Sequence, residues 1–424
     1  MGPTATLAET GAPSQESAPP PCVMRREPLL DKNRGLVGYL LQPLWLEDGR
    51  HDPGEAIIAH CRTHDVNRVL GFLPHQFAAS PGLLRQSFTH MLPHNQTLLE
   101  IPEGLEITPE QVQAFAGISR SGLRFTLRAD LAASPAYEPL LPFCRAIWFD
   151  PERSSKAEIF RQSLPHKQAG RQLHLGQVRS HEEFETSLLL GFTRFQGAWP
   201  APGQAAGTAI SARQKLLLKL VTLIMGDSEI PEIQACLEQD PELVRTLLNM
   251  VNTPAFGLPK EVESLNQAIM LLGRRQLQRW IQMLMYTEAG QPKGYLSPIL
   301  VQACARAHFL EHLSLLRHPE QHVRAEAAFT TGMLSTMDHL FVGLSMSVLL
   351  GQITVDAPIR QALIDRSGPL GPDLRLAALV FPMAGDAAED PAPLTQALGV
   401  DAGALAGLIQ QAFEWSHAIT QAAQ

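Results

Sequence analysis

The sequence predicts two unlike units: a mixed α/β half, then an all-helical half. Three observations carry that expectation. Up to about Pro202, short apolar strand-like pieces alternate with polar or amphipathic stretches, the pattern of βα units and a parallel sheet or barrel. Residues 201–209 (Ala-Pro-Gly-Gln-Ala-Ala-Gly-Thr-Ala) are small and read as a flexible linker. After them, apolar residues recur at helical spacing between caps and stops.

In the first half, strands are expected at 35–41, 69–73, 97–101, 123–127, 146–149 and 172–175. Helices are expected at 109–116, opened by Pro109, and at 181–190, whose early glutamates suit the positive end of a helix dipole. Repetition at this pitch favours a barrel over a doubly wound sheet. In the second half, 216–225 is strongly apolar, and Ile230, Ile233 and Leu237 follow a candidate cap at Ser228. Asp240 can cap a helix whose first residue is Pro241, where no amide hydrogen is needed. Leu243, Leu247, Leu248 and Val251 then share one face, and Asn252 and Gly257 supply stop and turn chemistry. Ser264 with Gln267 forms a capping box for a helix that closes at Gly273. Further helices are expected at 277–285, from Ser297-Pro298 through Leu313, from Asp356 through Ile364, and over 393–424. No solenoid repeat is present.

A net charge of −8 and a pI near 6.0 disfavour a bulk nucleic-acid or anionic-membrane binder, which needs a basic face. Five cysteines, widely spaced and without a C-x-x-C pair, point away from a disulfide framework or zinc site and toward a reducing cytoplasm. Residues 1–21, rich in Ala, Pro, Ser and Thr, read as a disordered tail rather than a signal peptide. No apolar run reaches the roughly 18–20 residues of a membrane helix.

The run from Asp240-Pro-Glu-Leu through Leu247-Leu248 and Asn252, then Ser264 with Ala268-Ile269 and Leu272-Gly273, resembles the signature of the HDOD output domain. Arg26-Glu-Pro-Leu-Leu-Asp31, Leu98-Leu-Glu-Ile101 and Gly191-Phe-Thr-Arg-Phe-Gln-Gly197 resemble, in order, the opening, a central strand and the end of an EAL domain. The resemblance implies a degenerate EAL (TIM-like) barrel over 22–202, a linker at 203–211 and an all-helical HDOD domain over 212–424. That is the order of the EAL–HDOD (YuxH-like) bacterial signal-transduction proteins.

A working EAL barrel opens cyclic di-GMP with metal-bound water, which requires several carboxylates around hard divalent cations. Here the E-x-L glutamate falls at Leu40, the strand expected to offer an asparagine reads Gly71-Phe72-Leu73, and the aspartate pair aligns with Arg128 and Ala129. Trp148 stands in the K-x-D lysine position, and the late glutamates align near Gly176 and Arg179. Asp150 and Glu100 are the carboxylates that persist, with Gln196 and Gly197. The His-Asp pair of HD phosphohydrolases aligns with Ser335-Thr336. The expectation from these positions is therefore no enzymatic activity, no cofactor and no metal. The chain would be a regulatory protein working through contacts with other signalling proteins. The alternative is a receptor that binds cyclic di-GMP without cleaving it, through Glu100, Gln196, Gly197 and Arg128; a residual phosphodiesterase is the third reading.

Other groupings have plainer readings. His60 and His64, four apart beside Cys61, suit a solvated helix face better than a metal pair. His308, His312, His318 and His322 are expected at the surface, and adjacent Asp338 and His339 point to different sides of a helix. Met333, Met337 and Met346 read as core. No G-x-S-x-G elbow, P-loop or G-x-G-x-x-G occurs.

Overall fold

The computed structural model describes residues 22–46, 52–63, 65–80, 89, 91–178, 180–197, 212–226, 228–252, 261–286, 295–341, 344–383, 386 and 389–422. The expected tail, the linker and His64 lie outside the described residues.

The first half closes into a barrel of β1 (Cys22–Leu30), β2 (Leu36–Trp45), β3 (His75–Ala78), β4 (Thr97–Glu100), β5 (Arg124–Arg128), β6 (Cys144–Phe149), β7 (Gln172–Val178) and β8 (Arg194–Gly197), in that order. β1 runs antiparallel to both β2 and β8, and every other neighbouring pair is parallel. One set of alternating residues is apolar and buried beneath the outer helices: Leu99, Phe125, Leu127, Ile147, Phe149, Leu173 and Phe195. The other set, facing the axis, contains Glu27, Gln76, Glu100, Thr126, His174 and Gln196. The pairings Glu27↔Leu40, Leu40↔Gln76, Glu100↔Thr126 and His174↔Arg194 keep these residues on one face. Side chains in a strand alternate between faces, so this barrel is apolar beneath its helices and carries these polar residues within, beside Leu40 and Leu98.

That inversion accounts for the strands missing from the sequence expectation. β1 carries Arg25, Arg26 and Glu27 and does not read as apolar. The strand expected at 69–73 is a correction: Val66–Leu70 is a short helix, Gly71 takes φ +81° at its end, and the strand begins at His75. Val69 and Leu70 are buried, but on a helix; a run this short cannot distinguish the two states.

In the helical half the Asp240 carboxylate accepts from the amides of Glu242 (3.0 Å) and Leu243 (3.3 Å), and Leu243, Leu247 and Val251 are fully buried. Asn252 stops the helix by exchanging side-chain bonds with the backbone of Val262 (2.9 and 2.8 Å). Ser264 accepts from the Gln267 amide, but the Gln267 side chain caps Glu263 instead, so only half of the expected box forms. Ser228 is not the cap of the Ile230–Leu237 helix; Glu229 holds that position without a side-chain bond. The helix opened at Ser264 closes at Gly273, as expected: φ +66° and ψ 167° are non-helical, and a second helix runs on from there to Leu284.

The Pro298–Arg317 helix is buried on nearly all sides, between the His322–Leu334 and Ala402–Ala422 helices. At the first contact a side chain on Gly332 would lie 2.4 Å from the Ala307 backbone, so glycine sets the approach. Met333 and Met337 are core, as expected, with Met346 packed against them. His308 and His312 are not surface groups. Their rings stack at 3.9 Å and His308 lies 5.0 Å from the Trp415 ring, so these turns face the C-terminal helix. His318 is half-buried and His322 exposed.

The halves share a boundary rather than a tether alone. The Tyr39 hydroxyl bonds His417 at 2.7 Å, the Arg26 guanidinium sits 4.0 Å over the Phe413 ring, and Arg26 donates to Gln410 at 2.9 Å. No single described helix is long and apolar enough to cross a membrane.

Candidate functional site

In a barrel of parallel strands, side chains meet at the C-terminal ends of the strands. Glu100 ends β4 beside Ala78 of β3 and Thr126 of β5, and accepts a hydrogen bond from Gln76 at 3.4 Å. Burial raises the Glu100 carboxyl above its usual range, against the opposing pull of Gln76 and Arg128. Gln196 donates to Glu27 across the β1–β8 seam, and Glu27 is held by Arg25 at 2.6 Å. Gly197 follows, paired with Val178. Among the described residues, the carbonyl oxygens of Gln76 and Gln196 and the Thr126 hydroxyl have no partner. Axial polar groups therefore remain open to a ligand.

Arg128 ends β5 but turns to the rim, donating to Asp130 (2.9 and 2.7 Å) and Glu103 (2.9 Å). Those contacts, led by Asp130, raise its already high pKa. Asp150 accepts from the amide of Glu152 at 2.9 Å and lies 3.7 Å from Arg153. The Trp148 indole fills space that Gly176 leaves, where an added side chain would lie 2.6 Å from the ring. The structure thus gathers Glu100 and Gln196, with Gly197, near one end of the barrel and puts Arg128 on its edge. Leu40 is buried on the axial face, level with Glu27.

Two axial residues escaped the sequence reading. Gln76 lies in the strand that had been misplaced, and the position beside Glu100 on that strand is Ala78, not any of Gly71-Phe72-Leu73. Glu27 lies in the strand that had been missed; the spacing Arg25, Glu27, two apart, was its available signal. Among the described residues no three His, Cys, Asp or Glu side chains are grouped as metal ligands. With Glu100 engaged by Gln76 and Glu27 by Gln196 and Arg25, this donor set does not fit a divalent metal centre.

In the helical half, Ser335 and Thr336 join a buried network. Ser335 donates to the Gly332 carbonyl and accepts from Arg306; Thr336 donates to the Tyr286 hydroxyl. Arg306, fully buried, is also held by the Phe381 carbonyl (2.9 and 2.8 Å) and by Asp386. The adjacent Asp338 and His339 do pair, at 3.0 Å.

The molecule is thus an eight-stranded barrel followed by a helical HDOD region: residues 214–357 match the HDOD domain family. The chain is homologous to the cyclic di-GMP phosphodiesterase CdgJ of Vibrio cholerae, with 26% identity over 82% of each chain. It is also homologous to the uncharacterized protein YuxH of Bacillus subtilis, with 24% identity over 67% of this chain and 70% of that one. Among solved structures it is similar to an EAL domain protein from Listeria monocytogenes (12% identity, TM-score 0.33, 42% of this chain and 86% of that chain). It is likewise similar to a standalone EAL protein from Vibrio cholerae in its c-di-GMP-bound form (14% identity, TM-score 0.34, 43% and 91%).

The expectation of no enzymatic activity is corrected by CdgJ, a homologue aligned over 82% of both chains and named a phosphodiesterase. Substitutions at Leu40, Arg128 and Ala129 do not establish a loss of catalysis. Gly71-Phe72-Leu73, moreover, lies outside the strand, which begins at His75 and places Ala78 beside Glu100.

Proposed function

We propose that this chain serves cyclic di-GMP signalling as a phosphodiesterase-related protein that engages the nucleotide at the C-terminal mouth of its barrel. The observation carrying this reading is the CdgJ alignment, which spans the barrel and the HDOD domain together. Unpartnered carbonyl oxygens on Gln76 and Gln196 suit the N–H edge of a guanine base. Glu100, its proton held more tightly than usual, is placed for hydrogen-bond or proton exchange at the same depth. Arg128 can reach a phosphate only by giving up part of its contact with Asp130 and Glu103. The HDOD domain would contact other signalling proteins, with the domain limits at 22–202 and 212–424. Five buried, unbridged cysteines support a cytoplasmic setting.

Calorimetric titration with cyclic di-GMP, and chromatographic turnover with magnesium or manganese, test this directly. Saturable binding is expected, weakened about tenfold in Glu100→Ala, the equivalent of about 1.4 kcal/mol. Turnover abolished by Glu100→Ala places hydrolysis in the same pocket. Absence of both binding and turnover in the wild type removes the proposal.

A further inference from the structure

The opposite, N-terminal mouth of the barrel carries a second site. A cavity of about 120 Å³ lies there, with Arg124, Arg145, Gln172, His174 and Arg194 among its walls. Arg124 and Arg194 are the first residues of β5 and β8. Arg145 reaches the mouth for a different reason. Phe125 pairs with Cys144 and Thr126 with Ala146, so Arg145 is the extra residue of a bulge, and bulges re-aim side chains.

Little neutralises these charges. Arg124 donates to the carbonyls of Ser119 (2.9 Å) and Leu123 (3.0 Å), and Arg194 to that of Thr193 (3.2 Å). Among the described residues no carboxylate lies within 4.0 Å of the Arg145 or Arg194 nitrogens. Asp31, the acid whose field Arg194 feels, accepts instead from the amides of Asn33 (2.8 Å) and Gly35 (2.9 Å).

The independent observation is His174. It is 4% exposed, lines this cavity, and among the described residues neither ring nitrogen has a hydrogen-bond partner. Burial, with Arg194 and Arg145 beside it, pushes the imidazole down to about 3, so the ring is neutral and carries one N–H donor and one acceptor. Buried polar groups are ordinarily paired, so something in the cavity is expected to pair with this ring.

Size and sign restrict the occupant. The cavity is well under the ~300 Å³ at which drug-sized sites begin and holds roughly four waters' volume, which excludes a dinucleotide. Arginine forks match tetrahedral oxyanions. We propose that the N-terminal mouth binds a phosphate-type oxyanion, held by Arg124, Arg145 and Arg194, with His174 as its buried hydrogen-bond donor. The site opens at the mouth opposite Glu100; Gln76 borders both, but the anion ligands Arg124, Arg145, Arg194 and His174 take no part in the Glu100 site, so neither reading depends on the other.

The test uses the full chain. Inorganic phosphate and glycerol 3-phosphate are each titrated at constant ionic strength against a chloride reference, followed by calorimetry and by the imidazole nitrogen resonances of His174. Saturable binding of inorganic phosphate, a shift at His174, and about tenfold weakening in Arg145→Ala and Arg194→Ala are expected. Binding of the ester as well would assign the site to a phosphate group on a larger molecule, and its exclusion to the free ion. Should Arg194→Ala fail to fold, Arg145→Ala decides, because that side chain is exposed. Binding no stronger than chloride, or binding that survives Arg145→Ala without moving His174, overturns the site.

Discussion

The Arg306 network of the helical half and the axis of the barrel bury polar groups in different ways. In the helical half, Arg306 lies deep among apolar helices with its guanidinium bonded to Ser335, the Phe381 carbonyl and Asp386. Along the barrel axis, Gln76, Thr126, His174 and Gln196 each leave at least one polar atom unpaired. A satisfied network fixes one packing, whereas open donors and acceptors lining a shared channel are available to a ligand. Polarity around Arg306 thus supports one packing, whereas along the barrel axis it leaves atoms open to the proposed ligands.

Breaking the helical network should cost most. Asp386→Ala leaves the Arg306 charge without its carboxylate, and a loss of about 3–5 kcal/mol is expected in urea unfolding of the full chain. A change under about 1 kcal/mol would mean that the pair is not integral to the fold. Leu247→Asp places an unpaired carboxylate where exposure is 0%. Loss of the cooperative melt of the helical half is expected, since the cost of several kcal/mol approaches a domain's stability margin. Glu242→Ala, half-buried at the start of the same helix and paired with Arg213 at 3.0 Å, should stay within about 1 kcal/mol.

Acid offers a sharper contrast. The pKa values of His174 and His308 lie near 3 when folded, and those of His75 and His417 near 4, against an ordinary 6.5. Between these limits the unfolded chain binds more protons, so stability should fall as pH drops from about 6.5 toward 4. Glu100 has the opposite sign: its raised carboxyl makes ionisation unfavourable in the folded state, so its contribution weakens as pH rises above the ordinary glutamate range. Glu100→Gln should therefore gain stability relative to wild type at pH 7 but not at pH 4, as read from paired melts. Identical pH profiles would remove the burial argument for this carboxylate. The smallest effect is expected at the boundary: Tyr39→Phe removes the hydroxyl bond to His417 and should cost about 0.5–1.5 kcal/mol.

Several elements were legible before any coordinates. The Asp240-Pro241 opening, the Leu243, Leu247 and Val251 face and the Asn252 stop form as read, because caps and helical spacing act within a few residues. Glu100, Gln196 and Gly197 were identified from motif resemblance, and the barrel brings them to its C-terminal ends. The Glu100–Gln76 and Gln196–Glu27 pairs were invisible because each joins strands distant in the chain, and two of those strands were missed or misplaced.

By itself, then, the sequence determined the order of its two units, the Asp240 and Ser264 caps and the apolar faces, all of which arise from local chemistry. Tertiary structure alone decided which strand residues face the axis, since a change of one residue in register exchanges the faces. It likewise decided where Arg145 points, through a bulge set by pairing with β5. Helical neighbours half-bury His308, because burial is a property of what packs against a side chain and not of its own spacing.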